Sequence, residues 1–94
     1  MPLHALDHYT VKTTDVEATA RFYEDAFGME RGPMPELDFP ILWLYAGNKP
    51  VLHIVERDEV TETDGGLVDH IAFRVTDYRG IKAKLDARDI KFQE

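Results

Sequence analysis

A chain of 94 residues with a net charge of -7 is long enough for one small domain. That charge argues against nucleic acid, whose phosphates want a basic surface, and equally against an anionic membrane surface. The absence of cysteine excludes disulfides, thiolate metal sites and cysteine nucleophiles. No apolar run approaches membrane-spanning length, and the N-terminus lacks a basic stretch leading into an apolar one, so a cytoplasmic address is expected. A hydrophobic fraction of 44% suits a globular fold, but burial is inefficient at this size, so a homodimer is expected.

The first predicted element is a strand over residues 3–12. Its alternation puts Leu6, His8, Thr10 and Lys12 on one face and Asp7, Tyr9, Val11 and Thr13 on the other. Thr14 then offers a helix N-cap, with Glu17 three residues on as its capping-box partner. Val16, Ala20, Tyr23 and Phe27 recur at helical spacing, and Gly28 stands where a left-handed C-terminal residue is wanted, so residues 15–27 read as an amphipathic helix.

A polar, proline-bearing segment occupies residues 31–40. Two apolar runs, ILWLYA and VLHIVE, follow at 41–46 and 51–56 with Gly47-Asn48-Lys49-Pro50 between them. They predict a β-hairpin whose turn is somewhat longer than the two-residue minimum. Residues 57–66, RDEVTETDGG, are charged and end in Gly-Gly, which reads as a solvated linker. A second strand is expected from residue 67, with Val68, His70, Ala72 and Arg74 on one face and Asp69, Ile71, Phe73 and Val75 on the other. Thr76 or Asp77 caps a second helix striped by Tyr78, Ile81 and Leu85, and residues 90–92 begin a further strand.

The two halves repeat. An offset of 62 residues lays Asp7, His8, Thr14 and Asp15 onto Asp69, His70, Thr76 and Asp77. These identities fall at the same landmarks, the strand and the helix start. A duplicated unit with one histidine per copy suggests a two-histidine metal site. Carried forward, the offset places a full second copy about 24 residues beyond residue 94, so its hairpin is expected to be missing.

The segments LDHYTV, ARFYEDAFGM, FPILWLY to VLHIVE, and VDHIAFRVTD together resemble the vicinal oxygen chelate superfamily. That group includes glyoxalase I, the fosfomycin and bleomycin resistance proteins, methylmalonyl-CoA epimerase and the extradiol dioxygenases. The resemblance implies an α+β fold of paired βαβββ modules curving around a metal. The first module would span residues 1–56, with a linker at 57–66 and the start of an incomplete second module at 67–94. It places ligand positions on the first strand of each module, here His8 and His70, and on the last strand of the first, here His53. The usual fourth ligand, a carboxylate on the last strand of the second module, would fall near position 115, outside this sequence.

Parity supports the pair. The Tyr9–Val11 and Ile71–Phe73 faces are apolar enough to pack under helices, which leaves His8 and His70 on the opposite, concave side. His53 shares a face with Val51 and Val55; ligand and cavity-lining readings both fit it. His4 has the same parity as His8 but lies near the terminus and reads as a non-ligand. Glu56, Asp7 and Asp69 are each an odd step from the nearest histidine, so on regular strands they face away. Asp15 and Asp77 read as helix-start residues. Phe39, Trp43 and Tyr45 are candidates for one wall of a substrate pocket, whereas Ile41, Leu42 and Leu44 read as plain hairpin core.

Imidazoles with a carboxylate suit Fe(II) or Mn(II), and Ni(II) and Zn(II) also accept such donors. The resemblance then implies a glyoxalase-like or extradiol-dioxygenase-like enzyme on a small molecule that chelates the metal through adjacent oxygens. The competing readings are a metal-free binding protein of the bleomycin-resistance kind, using the three aromatics as walls, and an inactive truncated form.

Overall fold

Residues 2–61 and 70–92 are described by the computed structural model. The chain divides into two compact units, Met1–Val60 and Thr61–Glu94. The first contains a strand β1 (Tyr9–Thr13), a helix α1 (Val16–Phe27), and strands β2 (Glu30–Arg31), β3 (Ile41–Ala46) and β4 (Lys49–Glu56). The second contains a helix α2 (Tyr78–Ala87).

Helix α1 follows its sequence pattern closely. Val16 and Ala20 are buried, and Tyr23 and Phe27 pack beside them against the core. Gly28 closes the helix at φ 73°, a left-handed backbone that costs glycine little. The start differs from expectation by one residue. Asp15, not Thr14, is the N-cap, and its carboxylate accepts from the Ala18 N–H. Glu17 is not a capping-box partner: its carboxylate binds the Arg31 guanidinium from both oxygens at 3.1 and 2.8 Å. Glu24, seven residues further along α1, holds the other side of the same guanidinium. A bidentate charged donor outcompetes a lone backbone N–H for Glu17, and Asp15 is better placed for the cap.

The sheet runs β1-β4-β3-β2, with β1 parallel to β4 and the remaining pairs antiparallel. Leu52 and Ile54 of β4 and Leu44 of β3 are wholly buried on the face that α1 covers, with Val16, Ala20 and Met29. Removing that much apolar surface from water is the main stabilising term of the unit. Beneath α1, Tyr9 and Val11 join the core from β1, as their parity predicts.

Two sequence expectations are corrected here. Strand β1 covers residues 9–13, not 3–12, because only there does β4 offer backbone partners, from Tyr9 opposite Leu52 to Thr13 opposite Glu56. Residues 2–8 are exposed and form no ladder, with Leu3 and Leu6 open to solvent. The hairpin turn is the two-residue Gly47-Asn48, since Ala46 already pairs with Lys49. Gly47 takes φ 64°, as the first turn position of a primed hairpin requires. Pro50 is tolerated inside β4 because the register shifts between Leu44 and Ala46 across from it, so no regular ladder bond is lost there.

In the second unit, residues 70–75 and 90–92 form no strand, although both carry the expected pattern. A strand exists only where a neighbour completes its ladder, and neither stretch has one among the described residues. Residues 67–69 of the predicted strand lie outside the described residues. Helix α2 forms as expected with Asp77 as N-cap, accepting from the Gly80 N–H at 3.0 Å. Of its stripe, Ile81 and Leu85 are half-buried while Tyr78 is exposed.

Candidate metal and ligand site

β4 is the central carrier of the site. Leu52 and Ile54 point under α1, so the alternation of a strand sends His53 to the opposite, uncovered face. Across the sheet His53 has Trp43 of β3 on one side and Thr10 of β1 on the other, each at the directly opposed register position. Trp43 fills its side: the indole and imidazole stack with centroids 4.0 Å apart and planes 6° apart. Thr10 is too short to do the same. The space is taken by His8, whose ring lies on the other face of His53 at 3.9 Å and 15°. Trp43, His53 and His8 thus form one aromatic column with His53 in the middle.

The polar atoms of the column are arranged for donation to a ligand. His53 Nε2 is buried with no hydrogen-bond partner, whereas its ring makes a backbone hydrogen bond with Pro50. A carbonyl can only accept, so Nδ1 carries the proton and Nε2 presents a lone pair. Burial lowers the His53 pKa below the usual imidazole value, and the neighbouring His8 lowers it further, so the neutral form is favoured. Asp7 Oδ2 lies 2.7 Å from His8 Nδ1, and this bond holds the Asp7 carboxyl below its ordinary range. That carboxylate therefore accepts from His8 Nδ1–H, and Nε2 is the ring nitrogen left for a ligand. A histidine whose second nitrogen is tied to a carboxylate or carbonyl is the usual form of a metal ligand.

Asp7 was expected to face away from His8. Parity failed because residues 7 and 8 precede β1, and alternation holds only on a strand. The signal that could have found the contact was the Asp-His adjacency itself, repeated at Asp69-His70. Glu56 does face away: its Oε1 accepts from the Val16 N–H at the start of α1, at 3.4 Å.

The remaining candidates stand apart from the column. Tyr45 donates to the Pro33 carbonyl at 2.6 Å and packs its ring against Gly32, which fixes the loop after β2. Phe39 lies under the Arg57 guanidinium, 5.3 Å from its ring centre, and is 37% exposed. It borders an open hollow of about 340 Å³ with Met34, Leu37 and Ile41. His70 lies on the exposed stretch of the second unit that precedes α2. Among the described residues, no three of His, Asp and Glu gather as metal donors.

A family model described as the Glyoxalase/Bleomycin resistance protein/Dioxygenase superfamily matches residues 5–94. The chain belongs to this superfamily. Its α+β fold is glyoxalase-like, with one sheet-bearing module among the described residues. No curated protein matches the chain. Among solved structures, the fosfomycin resistance protein FosX of Listeria monocytogenes aligns with a TM-score of 0.73 at 21% identity, over 98% of this chain and 71% of that one. A FosX mutant complexed with Mn(II) and 1S,2S-dihydroxypropylphosphonic acid aligns at 0.73 and 17% identity, over 98% of this chain and 75% of that one. The oxidase ChaP-H2 aligns at 0.67 and 27% identity, over 95% of this chain and 65% of that one. A lactoylglutathione lyase from Agrobacterium tumefaciens aligns at 0.59 and 19% identity, over 97% of this chain and 75% of that one. These superfamily neighbours share the fold across several different chemistries, so the fold alone does not choose among them.

Proposed function

We propose that this superfamily member binds a divalent first-row metal through His8 and His53 and uses it to hold a small molecule by two adjacent oxygens. The observation that carries the reading is the buried, unpartnered Nε2 of His53, with Nδ1 held by Pro50 and the His8 ring alongside. An imidazole nitrogen kept dry and unpaired is costly unless a ligand completes it. His70 enters the proposal from the repeat, as the counterpart of His8 in the second copy. The reading takes residues 1–56 as a complete module, 57–66 as a linker and 67–94 as the opening of a second.

Fe(II) and Mn(II) suit the donors best, and Mn(II) is the metal in the FosX complex. Such a metal supplies Lewis acidity toward an enolate or catecholate. The chain's own contribution is the orientation of the donors. Asp7 fixes the His8 tautomer, Pro50 fixes that of His53, and Trp43 shields the imidazole from water. The reaction would be glyoxalase-like or extradiol-dioxygenase-like.

A second reading rests on the hollow beside Phe39. Its apolar lining of Met34, Leu37 and Phe39 suits metal-free binding of a hydrophobic small molecule. Metal analysis of the purified protein separates the two. The first expects about one Fe or Mn per site, lost in the His8→Ala and His53→Ala proteins. Protein that takes up no metal under any loading condition leaves only the second.

A further inference from the structure

Arg31 and Arg57 of the first unit stand in opposite surroundings. Arg31 is saturated: Glu17 and Glu24 hold its guanidinium at 2.8 and 3.1 Å. Arg57 makes no ion pair among the described residues, although Asp58 and Glu59 follow it directly in sequence. One N–H, on Nη1, goes to the Glu56 carbonyl at 2.9 Å. A guanidinium carries five donors in a fixed plane, so four are left over.

The backbone around that guanidinium is pinned. The Arg57 N–H donates to the Thr13 carbonyl at 2.9 Å, which carries the pairing of β4 with β1 one residue past the end of β4. The Glu56 N–H donates to the Pro40 carbonyl at 3.1 Å and ties the end of the loop before β3 to the same place. Phe39 is thereby held beside Arg57, whose guanidinium carbon lies 5.3 Å from the ring centre. A cation resting on a ring face keeps the N–H groups along its edge available to a planar anion.

Phe39 also lines the hollow of about 340 Å³ with Met34, Leu37 and Ile41. Met34 and Leu37 leave apolar surface in water there. One ring therefore joins an apolar hollow to an uncommitted guanidinium. Glu36 is the charged residue of the lining, but it is exposed, and water and salt screen its repulsion of an anion.

We propose that the Phe39 hollow takes a small carboxylic acid with an apolar body, the body lying among Met34, Leu37 and Ile41 and the carboxylate held by the Arg57 guanidinium beside Phe39. The inference deepens the metal-free reading of this hollow and rests on it, and it makes no use of His8 or His53. A carboxylate accepts two parallel N–H bonds from a guanidinium, an arrangement that neither an alcohol nor an ammonium reproduces.

The test is the binding of octanoate, octanol and octylammonium to the full chain, read by calorimetry and by amide shifts in NMR. Octanoate is expected to bind about tenfold more tightly than octanol, and octylammonium more weakly than either. Arg57→Gln, at an exposed position, should bring octanoate down to the octanol value and leave octanol unchanged. Arg57→Lys keeps the charge without the planar fork and should fall between. Glu36→Gln should tighten octanoate about twofold, and added salt should weaken octanoate alone. If the unaltered chain binds octanoate and octanol equally, or Arg57→Gln keeps the preference, or octylammonium binds most tightly, this inference is overturned and the hollow remains a plain apolar site. If none of the three binds, or the amide shifts fall outside residues 34–41 and 57, the reading of the hollow falls with it.

Discussion

Trp43 and His53 stand directly opposite on β3 and β4, their rings parallel to within 6° and 4.0 Å apart. Trp43 is the only tryptophan of the chain, so its fluorescence reports this contact alone. His53→Ala should uncover one face of the indole and move the emission maximum to longer wavelength. An unchanged spectrum would mean the stack does not persist in solution.

The hydrophobic core supplies a sharp contrast in stability. Leu52 is fully buried between β4 and α1, so Leu52→Ala removes apolar contacts and leaves a cavity, costing about 2–5 kcal/mol. Leu6 is 79% exposed, and Leu6→Ala should change stability by less than about 0.5 kcal/mol. Urea denaturation of both proteins measures the difference.

The cap of α1 is assigned to Asp15 by its bond to the Ala18 N–H. Asp15→Ala should therefore cost about 1 kcal/mol, and Thr14→Ala only a few tenths. Equal losses in thermal melts would return the cap to Thr14. At the other end, Gly28→Ala places a Cβ on a backbone with φ 73° and should cost about 1 kcal/mol.

Acid should act on the Glu17–Arg31 pair. The guanidinium lowers the Glu17 pKa from its ordinary 4.5, chiefly by hydrogen bonding. The unfolded chain then binds more protons than the folded one as pH falls below about 4.5, so stability is complete above that value and declines beneath it. Glu17→Gln should flatten the pH profile in this window and slightly lower stability above it, where the parent keeps the pair. The pair is exposed, so the effect should also shrink at high salt.

Asp7 orients His8 without being placed as a metal donor. Asp7→Asn should weaken metal binding about tenfold while leaving the stoichiometry intact, whereas His8→Ala should remove a donor outright. Calorimetry with Mn(II) separates the two. An Asn variant that binds as tightly as the parent would reduce Asp7 to a surface contact.

Periodicity made the helices and the faces of the strands legible. The stripe from Val16 to Phe27 is the buried side of α1, and the alternation about His53 correctly set it against Leu52 and Ile54. These succeed because one buried face imposes one period. Strand limits were not legible, because a strand's length depends on its partner: β1 starts at Tyr9 where pairing with β4 begins, and residues 70–75 carry alternation without a ladder. The column escaped as well. Trp43 and His53 are ten residues apart in sequence, and only the register of the hairpin, set by the two-residue turn at Gly47-Asn48, brings them face to face. Asp7 was misassigned by applying strand parity to residues that precede the strand.

The parallel pairing of β1 with β4 has a further consequence in time. The β3–β4 hairpin closes over two residues, but β1 must meet β4 across α1, β2 and the whole intervening loop. Distant pairings of this kind form late, because the loop must be closed before the contacts reward it. His53 and Trp43 can therefore come together early, while His8 arrives only when β1 docks. The third ring of the column marks a finished chain. A ligand that requires it binds only folded molecules and draws the folding equilibrium toward them.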